Sequence, residues 1–431
     1  MKVHLRMLGC RLNQAEIDAM ARQLLAGGHE VVDDPAEADH YIVNTCAVTT
    51  DAGKASRKLI RELHRANADA QTTVTGCYAQ IAPDDIAVLP GVSRVIDNTG
   101  KDQIVTAITG VAVQPFDDEP ITRDAALPGA AGRTRAFVKV QDGCDNACTF
   151  CITTVARGAG RSRPLTEVVD EIRYLHASGY QEAVLTGVHL GSYGHDHGQA
   201  DGLKQLVDAI LADTDIPRLR LSSLEPWDLA EGFFDLWQNP RLCRHLHLPL
   251  QSGCDATLKR MRRNTTQAEF SALMAAARER IPDVGITSDV IVGFPGETDD
   301  EFAASLAFIE AMDFAGLHVF RYSRRPGTPA ARMRDHLPNT VKKARSQRLL
   351  ALADSMAARF AEAQIGRGVR VLWEQVSAAT PDGFVNVGYT DNYIRVRGTH
   401  PRPLTNHITG GHGLHYDAEN GQLIVDVRIE D

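Results

Sequence analysis

The chain has 431 residues, 43% of them hydrophobic, and a formal net charge of −9, which leaves room for about three domains of roughly 150 residues each. No apolar run approaches the roughly 18 residues of a membrane span, the opening Met1 to Cys10 lacks a signal-peptide core, and eight cysteines are too few for a disulfide scaffold, so a reducing, cytoplasmic setting is expected. The acidic total argues against a nucleic-acid partner, yet from Phe320 to Gln375 twelve Lys or Arg stand against four acids, a basic run suited to a polyanion or to a solvated helix face.

From the start to about residue 112 short β-rich runs alternate with helical ones. Strands are predicted over 2–8, 41–44, 72–75 and 94–96 and helices over 14–25, 52–66 and 101–108, the rhythm of a parallel α/β sheet. Cys10, Cys46 and Cys77 each fall at the carboxyl end of a predicted strand, just before a helix. Open α/β sheets bind ligands at that edge, so three cysteines far apart in sequence are expected to converge where helix amino termini favour an anion. Singly, each is as well explained as a small buried hydrophobe.

Residues 113–133, with Pro115, Pro120, Pro128 and Asp117-Asp118-Glu119, read as a linker. Six strand-plus-helix units follow over 134–363, with strands over 137–141, 183–188, 219–224, 246–250, 287–292 and 317–322 and helices including 166–177, 203–212 and 299–312. Right-handed crossovers curl such a series into a partial barrel with its chemistry at the carboxyl ends of the strands. After the first strand comes Gly143-Cys144-Asp-Asn-Ala-Cys148-Thr-Phe-Cys151. Three thiolates in one loop suit a four-iron cluster whose fourth iron stays open to a ligand; a structural zinc is the alternative, and no His or Cys close downstream of Cys151 completes its tetrahedron. A long helix over 340–364 leads into 364–431, rich in β-branched residues and turns, which reads as a small antiparallel β-barrel.

These motifs resemble the radical S-adenosylmethionine (SAM) methylthiotransferase family over nearly the whole chain. The CxxxCxxC loop resembles the radical SAM signature and six units match that superfamily's (β/α)6 partial barrel. Gly9-Cys10-Arg-Leu-Asn13-Gln14, Asn44-Thr45-Cys46 and Thr75-Gly76-Cys77 resemble the family's amino-terminal domain, and the end resembles a TRAM domain. The resemblance implies two [4Fe-4S] clusters, the radical-forming one on Cys144, Cys148 and Cys151 and an auxiliary one on Cys10, Cys46 and Cys77. It implies SAM beside Phe150, with its methionine amino group at Thr186-Gly187; from their place at the end of the third strand Ser223 and Glu225 are expected to reach the ribose, and Gly293 and Gly296 to allow close backbone approach to the adenine.

The implied substrate is a tRNA anticodon loop. Two stretches, Leu8-Gly-Cys-Arg-Leu-Asn-Gln14 and 388–396, resemble the branch acting on threonylcarbamoyladenosine, where Arg395 or Arg397 could pair with the threonyl carboxylate. Arg321, Lys342, Lys343 and Arg345 are expected to meet phosphates, and Arg157, Arg161 and Arg163 to meet phosphate, the SAM carboxylate or structural acids. Action on isopentenyladenosine, action on a ribosomal-protein aspartate, and a non-catalytic RNA-binding iron–sulfur protein are the alternatives. A flavodoxin- or ferredoxin-like electron donor and a sulfur donor are further implied partners. Cys243 and Cys254 read as packed thiols, and no histidine is assigned a role.

Overall fold

The computed structural model describes residues 1–47, 50–111, 134–229 and 232–429, and the linker read at 113–133 lies outside them. The amino-terminal unit is built from β1 (Lys2–Met7), α1 (Arg11–Ala26), β2 (Glu30–Val31), β3 (His40–Thr45), α2 (Thr50–Ala66), β4 (Gln71–Gly76), α3 (Cys77–Ile81), α4 (Pro83–Ala87), β5 (Val92–Val95) and α5 (Ile104–Thr109). Its sheet runs β2-β1-β3-β4-β5, all parallel. Every residue of β3 is buried, as a central parallel strand covered on both faces requires. Ile17, Met20, Leu24, Ile104 and Val105 cover one face; Ile60, Leu63 and Ile86 cover the other. The predicted strands and helices hold to within a few residues, while the two-residue β2 and the one-turn α3 and α4 are too short to leave a periodicity.

The central unit opens with β6 (Arg135–Lys139), the short β7 (Gln141–Asp142), α6 (Thr153–Arg157) and β8 (Arg161–Ser162), then α7 (Leu165–Ala177), β9 (Glu182–Thr186), α8 (Gly202–Asp213), β10 (Arg218–Leu221), β11 (His245–His247), α9 (Asp255–Met261), α10 (Gln267–Arg280), β12 (Gly285–Val292), α11 (Asp299–Met312) and β13 (Gly316–Arg321). The long strands form two parallel sheets, β10-β9-β6 and β11-β12-β13, joined by the bridges Leu219 to Leu242 and Ser223 to His247. The result is six parallel strands in chain order, an open barrel, wrapped by the aliphatic faces of its helices. Ala15 of α1 packs on Phe137 and Val184 and so seats the amino-terminal unit on the first two barrel strands.

Helix α12 (Asn339–Glu362) crosses to five strands, β14 (Gly368–Thr380), β15 (Gly383–Thr390), β16 (Arg395–His400), β17 (Ile408–Asp417) and β18 (Gln422–Arg428), closed in the order β14-β15-β16-β18-β17. The expected antiparallel barrel is present with one exception, since β16 and β18 pair in parallel. Trp373 fills its core and donates Nε1–H to Thr409 Oγ1 at 2.9 Å.

The stretch 388–396 docks this barrel on the central unit. Arg218 and Arg220 donate to the carbonyls of Thr390 and Asp391 at 3.0 Å, and Arg244 holds the Asp391 carboxylate at 2.6 Å. Tyr393, at φ 74°, stacks on His245 with ring centroids 4.5 Å apart, and its hydroxyl accepts from Arg11 of α1 at 2.9 Å. Three units therefore meet on one phenol.

Candidate active site

The loop carrying Cys144, Cys148 and Cys151 is closed at its neck by the antiparallel ribbon of β7 and β8, which pairs Asp142 with Arg161. Gly143, at φ 76°, permits that closure: a Cβ there would sit 1.9 Å from the Ala159 carbonyl oxygen. Inside the loop the amides of Asn146 and Thr153 point at the sulfurs of Cys144 and Cys151, each at 3.4 Å. Arg263, nearly fully buried, reaches Cys148 Sγ at 3.6 Å while a bidentate pair with Glu225 (3.0 and 2.5 Å) fixes its plane. His189 bonds Asp228; burial opposes its charging, yet Asp228 and Cys144 push it up to about 10, an imidazolium beside a sulfur. Burial pushes the Cys148 thiol up to about 11 against the pull of Arg263, so metal binding here releases protons.

At the amino-terminal sheet the three cysteines end adjacent strands. Cys10 caps α1, Cys46 follows β3 and Cys77 opens α3. Gly9, at φ 128°, lets the β1 turn pass Cys46, whose Sγ would stand 3.2 Å from a Cβ at that position. From the other unit comes Arg157, buried, with Nε donating to Cys77 Sγ at 3.3 Å, Nη1 to Glu16 and Asp142 at 2.9 Å and Nη2 to Asn13 at 3.0 Å. Burial would raise the Glu16 carboxyl, but Lys101 at 2.7 Å and Arg157 hold it well below the usual carboxylate range. Arg157 is thus an internal clamp rather than a phosphate contact, and Arg163 likewise pairs with Glu171 at 2.5 Å; Arg161 stays half exposed.

Both donor sets suit iron–sulfur binding. Amide and guanidinium hydrogens aimed at sulfur are how proteins stabilise thiolate-held anionic clusters. Neither triplet is among the described groups close enough to share a single ion, whereas tetrahedral zinc needs sulfurs about 3.8 Å apart. Between the units lies a cavity of about 640 Å³ whose wall includes Asp51 of α2, Phe150 and Cys151 of the loop, and Gln251, Asp289 and Arg321 of the barrel. Arg325, also on that wall, stands within electrostatic reach of Cys46 and Asp51.

The remaining expected residues divide. Thr186 is buried at the end of β9 and Gly187 lies against Gln141. Ser223 bridges to His247. Glu225 is engaged by Arg263 and is not free for a ribose as its strand-end position suggested. Gly293, at φ 73°, makes room for the stem of Lys342, whose Cγ would lie 2.4 Å from a Cβ, so its close approach is to that side chain. Lys342 is buried and donates to the Tyr322 carbonyl at 3.1 Å, and buried Arg345 pairs with Glu297 at 2.6 Å and Asp299 at 2.7 Å. Burial and pairing remove both from the expected phosphate surface, whereas Arg321, Lys343 and Arg395 are exposed. Arg397 is paired with Asp417 at 3.0 Å. Cys243 and Cys254 are buried thiols, as expected. Sequence reasoning missed Arg263 and His189, whose importance lies in contacts across 115 and 43 residues and leaves no local pattern.

Comparison with known proteins agrees with this architecture. Residues 2–97 match the family described as uncharacterized protein family UPF0004, and residues 138–309 match the radical SAM superfamily. The chain is 38% identical over 90% of its length, and 88% of the relative's, to the threonylcarbamoyladenosine tRNA methylthiotransferase MtaB of Bacillus subtilis. It is 34% identical over 94% of its length to the tRNA-2-methylthio-N(6)-dimethylallyladenosine synthase of Geobacillus thermodenitrificans, covering 79% of that protein. Among solved structures, the radical SAM methyltransferase TsrM of Kitasatospora setae shares the fold, with a TM-score of 0.57 at 19% identity over 88% of this chain and 79% of that one. Identity of this extent, on a chain that carries both cysteine sets, makes it a member of the radical SAM methylthiotransferase family, which works with SAM and two [4Fe-4S] clusters.

Proposed function

We propose that this chain, in the cytoplasm, inserts a methylthio group at carbon 2 of N6-threonylcarbamoyladenosine at position 37 of tRNA, beside the anticodon. The observation that carries the reading is a pair of three-cysteine sets, each at the carboxyl edge of its own parallel sheet, with Cys151 on the wall of the cavity between the units and Cys77 bonded across the junction by Arg157 of the central unit at 3.3 Å. In this reading Cys144, Cys148 and Cys151 hold the cluster that works with SAM, and Cys10, Cys46 and Cys77 hold the auxiliary cluster. Together these groups supply what no side chain can, a radical able to activate an unpolarised C–H bond and the sulfur that replaces the hydrogen.

The protein's own share is charge and position. Arg263 and His189 set positive charge against the barrel sulfurs, and Arg157 sets it against Cys77 while locking the two units together. Phe150, Ile291 and Phe320 give the cavity an apolar portion of its wall. Thr186, Gly187 and Ser223, at strand ends on the same side of the barrel, are assigned to SAM. Exposed Arg321 and Lys343 are assigned to tRNA phosphates, and Arg395 to the threonyl carboxylate.

Functional units at 1–112, 134–363 and 364–431, joined by the linker at 113–133, accompany this assignment. A flavodoxin- or ferredoxin-like protein delivers electrons and a separate donor delivers sulfur; among the described residues no helix is long and apolar enough to cross a membrane. The names of relatives at 38% identity support the threonylcarbamoyl branch over the isopentenyl one. Incubating anaerobically reconstituted enzyme with each modified tRNA and digesting to nucleosides tests it. A methylthio product on threonylcarbamoylated tRNA is expected, and product on isopentenylated tRNA alone would overturn the branch.

A further inference from the structure

Three polar side chains stand on neighbouring barrel strands below the cysteine loop. His247 ends β11, Asp289 lies in β12, and His318 of β13 is its register partner. Nδ1 of His247 meets Thr287 Oγ1 at 2.9 Å, which orients Nε2 toward Asp289 Oδ1 at 3.3 Å; Nδ1 of His318 meets the same oxygen at 3.0 Å. These groups are close enough to share one metal ion, but both imidazoles are already bonded to the carboxylate. They engage Oδ1 only. Oδ2 has no hydrogen-bond partner among the described residues, and Asp289 is part of the wall of the cavity that also holds Phe150 and Cys151.

Gln251 stands beside it. Its amide donates to the Asp289 carbonyl at 2.8 Å and its carbonyl accepts from the Ile291 amide at 2.9 Å, which locks the backbone at φ 72°. A non-glycine residue held in the left-handed region costs of order 1 kcal/mol or more and marks positions where a side chain must point somewhere particular. Here it sends the carboxamide to the cavity wall, with no hydrogen-bond partner among the described residues. An unengaged carboxylate oxygen and an unengaged carboxamide, next to the apolar faces of Ile291 and Phe320, complement one ligand edge well. Adenine presents an N6–H donor beside an N7 acceptor, and a carboxamide is a standard reader of that edge.

We propose that Asp289 and Gln251 form a purine subsite in which Oδ2 of Asp289 accepts the N6–H and the Gln251 carboxamide donates to N7 of the target adenine. Carbon 2 lies across the six-membered ring from that edge, so this grip leaves it unobstructed. His247 and His318 are positioning residues that hold the carboxylate. The proposal rests on the tRNA reading above and adds to it which atoms of the base are recognised. SAM carries an adenine too, so the test must tell the two purines apart.

The experiment uses the reconstituted full chain and two anticodon stem-loop RNAs, one with N6-threonylcarbamoyladenosine and one with its 7-deaza analogue, which lacks the N7 acceptor. Equilibrium affinity for each RNA and for SAM is measured for wild type, Gln251→Ala and Asp289→Asn, alongside methylthio product. Wild type should bind the 7-deaza RNA about tenfold more weakly, the effect of one hydrogen bond. Gln251→Ala should bind both RNAs equally, at the wild-type enzyme's 7-deaza level. Asp289→Asn should weaken both RNAs while keeping the tenfold difference, a pattern that general unfolding cannot produce. SAM affinity should not move. A 7-deaza penalty that persists in Gln251→Ala overturns the subsite, and a fall in SAM affinity with RNA binding unchanged assigns the edge to the cofactor instead. Absence of methylthio product from wild type on the natural RNA counts against the tRNA reading alone, because the binding comparison needs no turnover.

Discussion

The two cysteine sets reach the same donor trio by opposite routes. Cys144, Cys148 and Cys151 lie within eight residues, on one loop pinched shut by a two-residue ribbon; Cys10, Cys46 and Cys77 come together only because β1, β3 and β4 are neighbours in one sheet. The first site is local and needs little beyond its loop, while the second is a property of a whole fold. Each receives one buried guanidinium at sulfur, and here too they differ. Arg263 reaches Cys148 from within the barrel and is neutralised there by Glu225, whereas Arg157 reaches Cys77 from the partner unit. The dispersed set is therefore tied to the junction and the local set is not.

The largest test of this contrast separates the two chemistries. Replacing Cys144, Cys148 and Cys151 by Ala should lower reductant-dependent deoxyadenosine formation from SAM by about a thousandfold or more, since no side chain substitutes for the lost group. Replacing Cys10, Cys46 and Cys77 should leave deoxyadenosine intact and remove the methylthio product. Loss of deoxyadenosine in the second variant, with iron still bound at the barrel, would break the division. Next in size, Arg157→Met takes the buried guanidinium from Asp142 and from Glu16, which keeps Lys101, and should cost about 3 kcal/mol, read as a lower urea midpoint. Arg161→Met, at a half-exposed site, should stay within about 0.5 kcal/mol, and equal losses would deny that the junction is special.

A third charge cluster sharpens the point. Burial would raise the Glu182 carboxyl, but Arg218 and Arg220 hold it at about 2, below its unfolded value of roughly 4.3. A depressed folded value means stability that is present above the unfolded pKa and lost as pH falls through about 4 toward 2, here about 3 kcal/mol. Chemical denaturation at pH 7 and pH 3 should show a steeper acid loss for wild type than for Glu182→Gln; parallel curves would refute it. The smallest effect lies on the surface. Lys343→Glu should weaken tRNA binding and flatten the log–log salt slope by roughly one unit without changing stability, while Arg345→Glu, two residues on, should destabilise the fold through Glu297 and Asp299.

What was legible in the sequence follows the same contrast. The loop of three cysteines could be read directly, and the dispersed three could be read because each follows a β-rich run and precedes a helix, which the observed strands repeat. Charged residues were read less well, because a count of Lys and Arg cannot tell Lys343, turned outward, from Arg345, turned inward on the same helix. In the stretch 388–396 the sequence points to Arg395 as a carboxylate partner and is silent on Asp391 and Tyr393, which dock the terminal barrel on the central unit; nothing in residue type distinguishes an aromatic that stacks on a base from one that stacks on His245. Arg263, His189 and the strained Gln251 were invisible for another reason. Their meaning lies in a sulfur, a carboxylate or a cavity contributed by distant segments.

The dock around Tyr393 bears on how such chains can be recombined. Beneath it lie Glu182, Arg218 and Arg220, each almost fully buried, and Arg135, whose partners include Glu374 of β14 and the Tyr389 and Tyr393 rings. A chain cut after Glu362 would not simply lose a grip on RNA; it would open the floor of the barrel to water and free Arg11, the neighbour of Cys10, from its phenol. Grafting in a terminal barrel from a distant relative therefore carries a condition beyond a compatible linker. The incoming loop has to bring an aspartate for Arg244 and a tyrosine for His245 and Arg11, or the hybrid inherits a misfitted floor along with its new RNA surface.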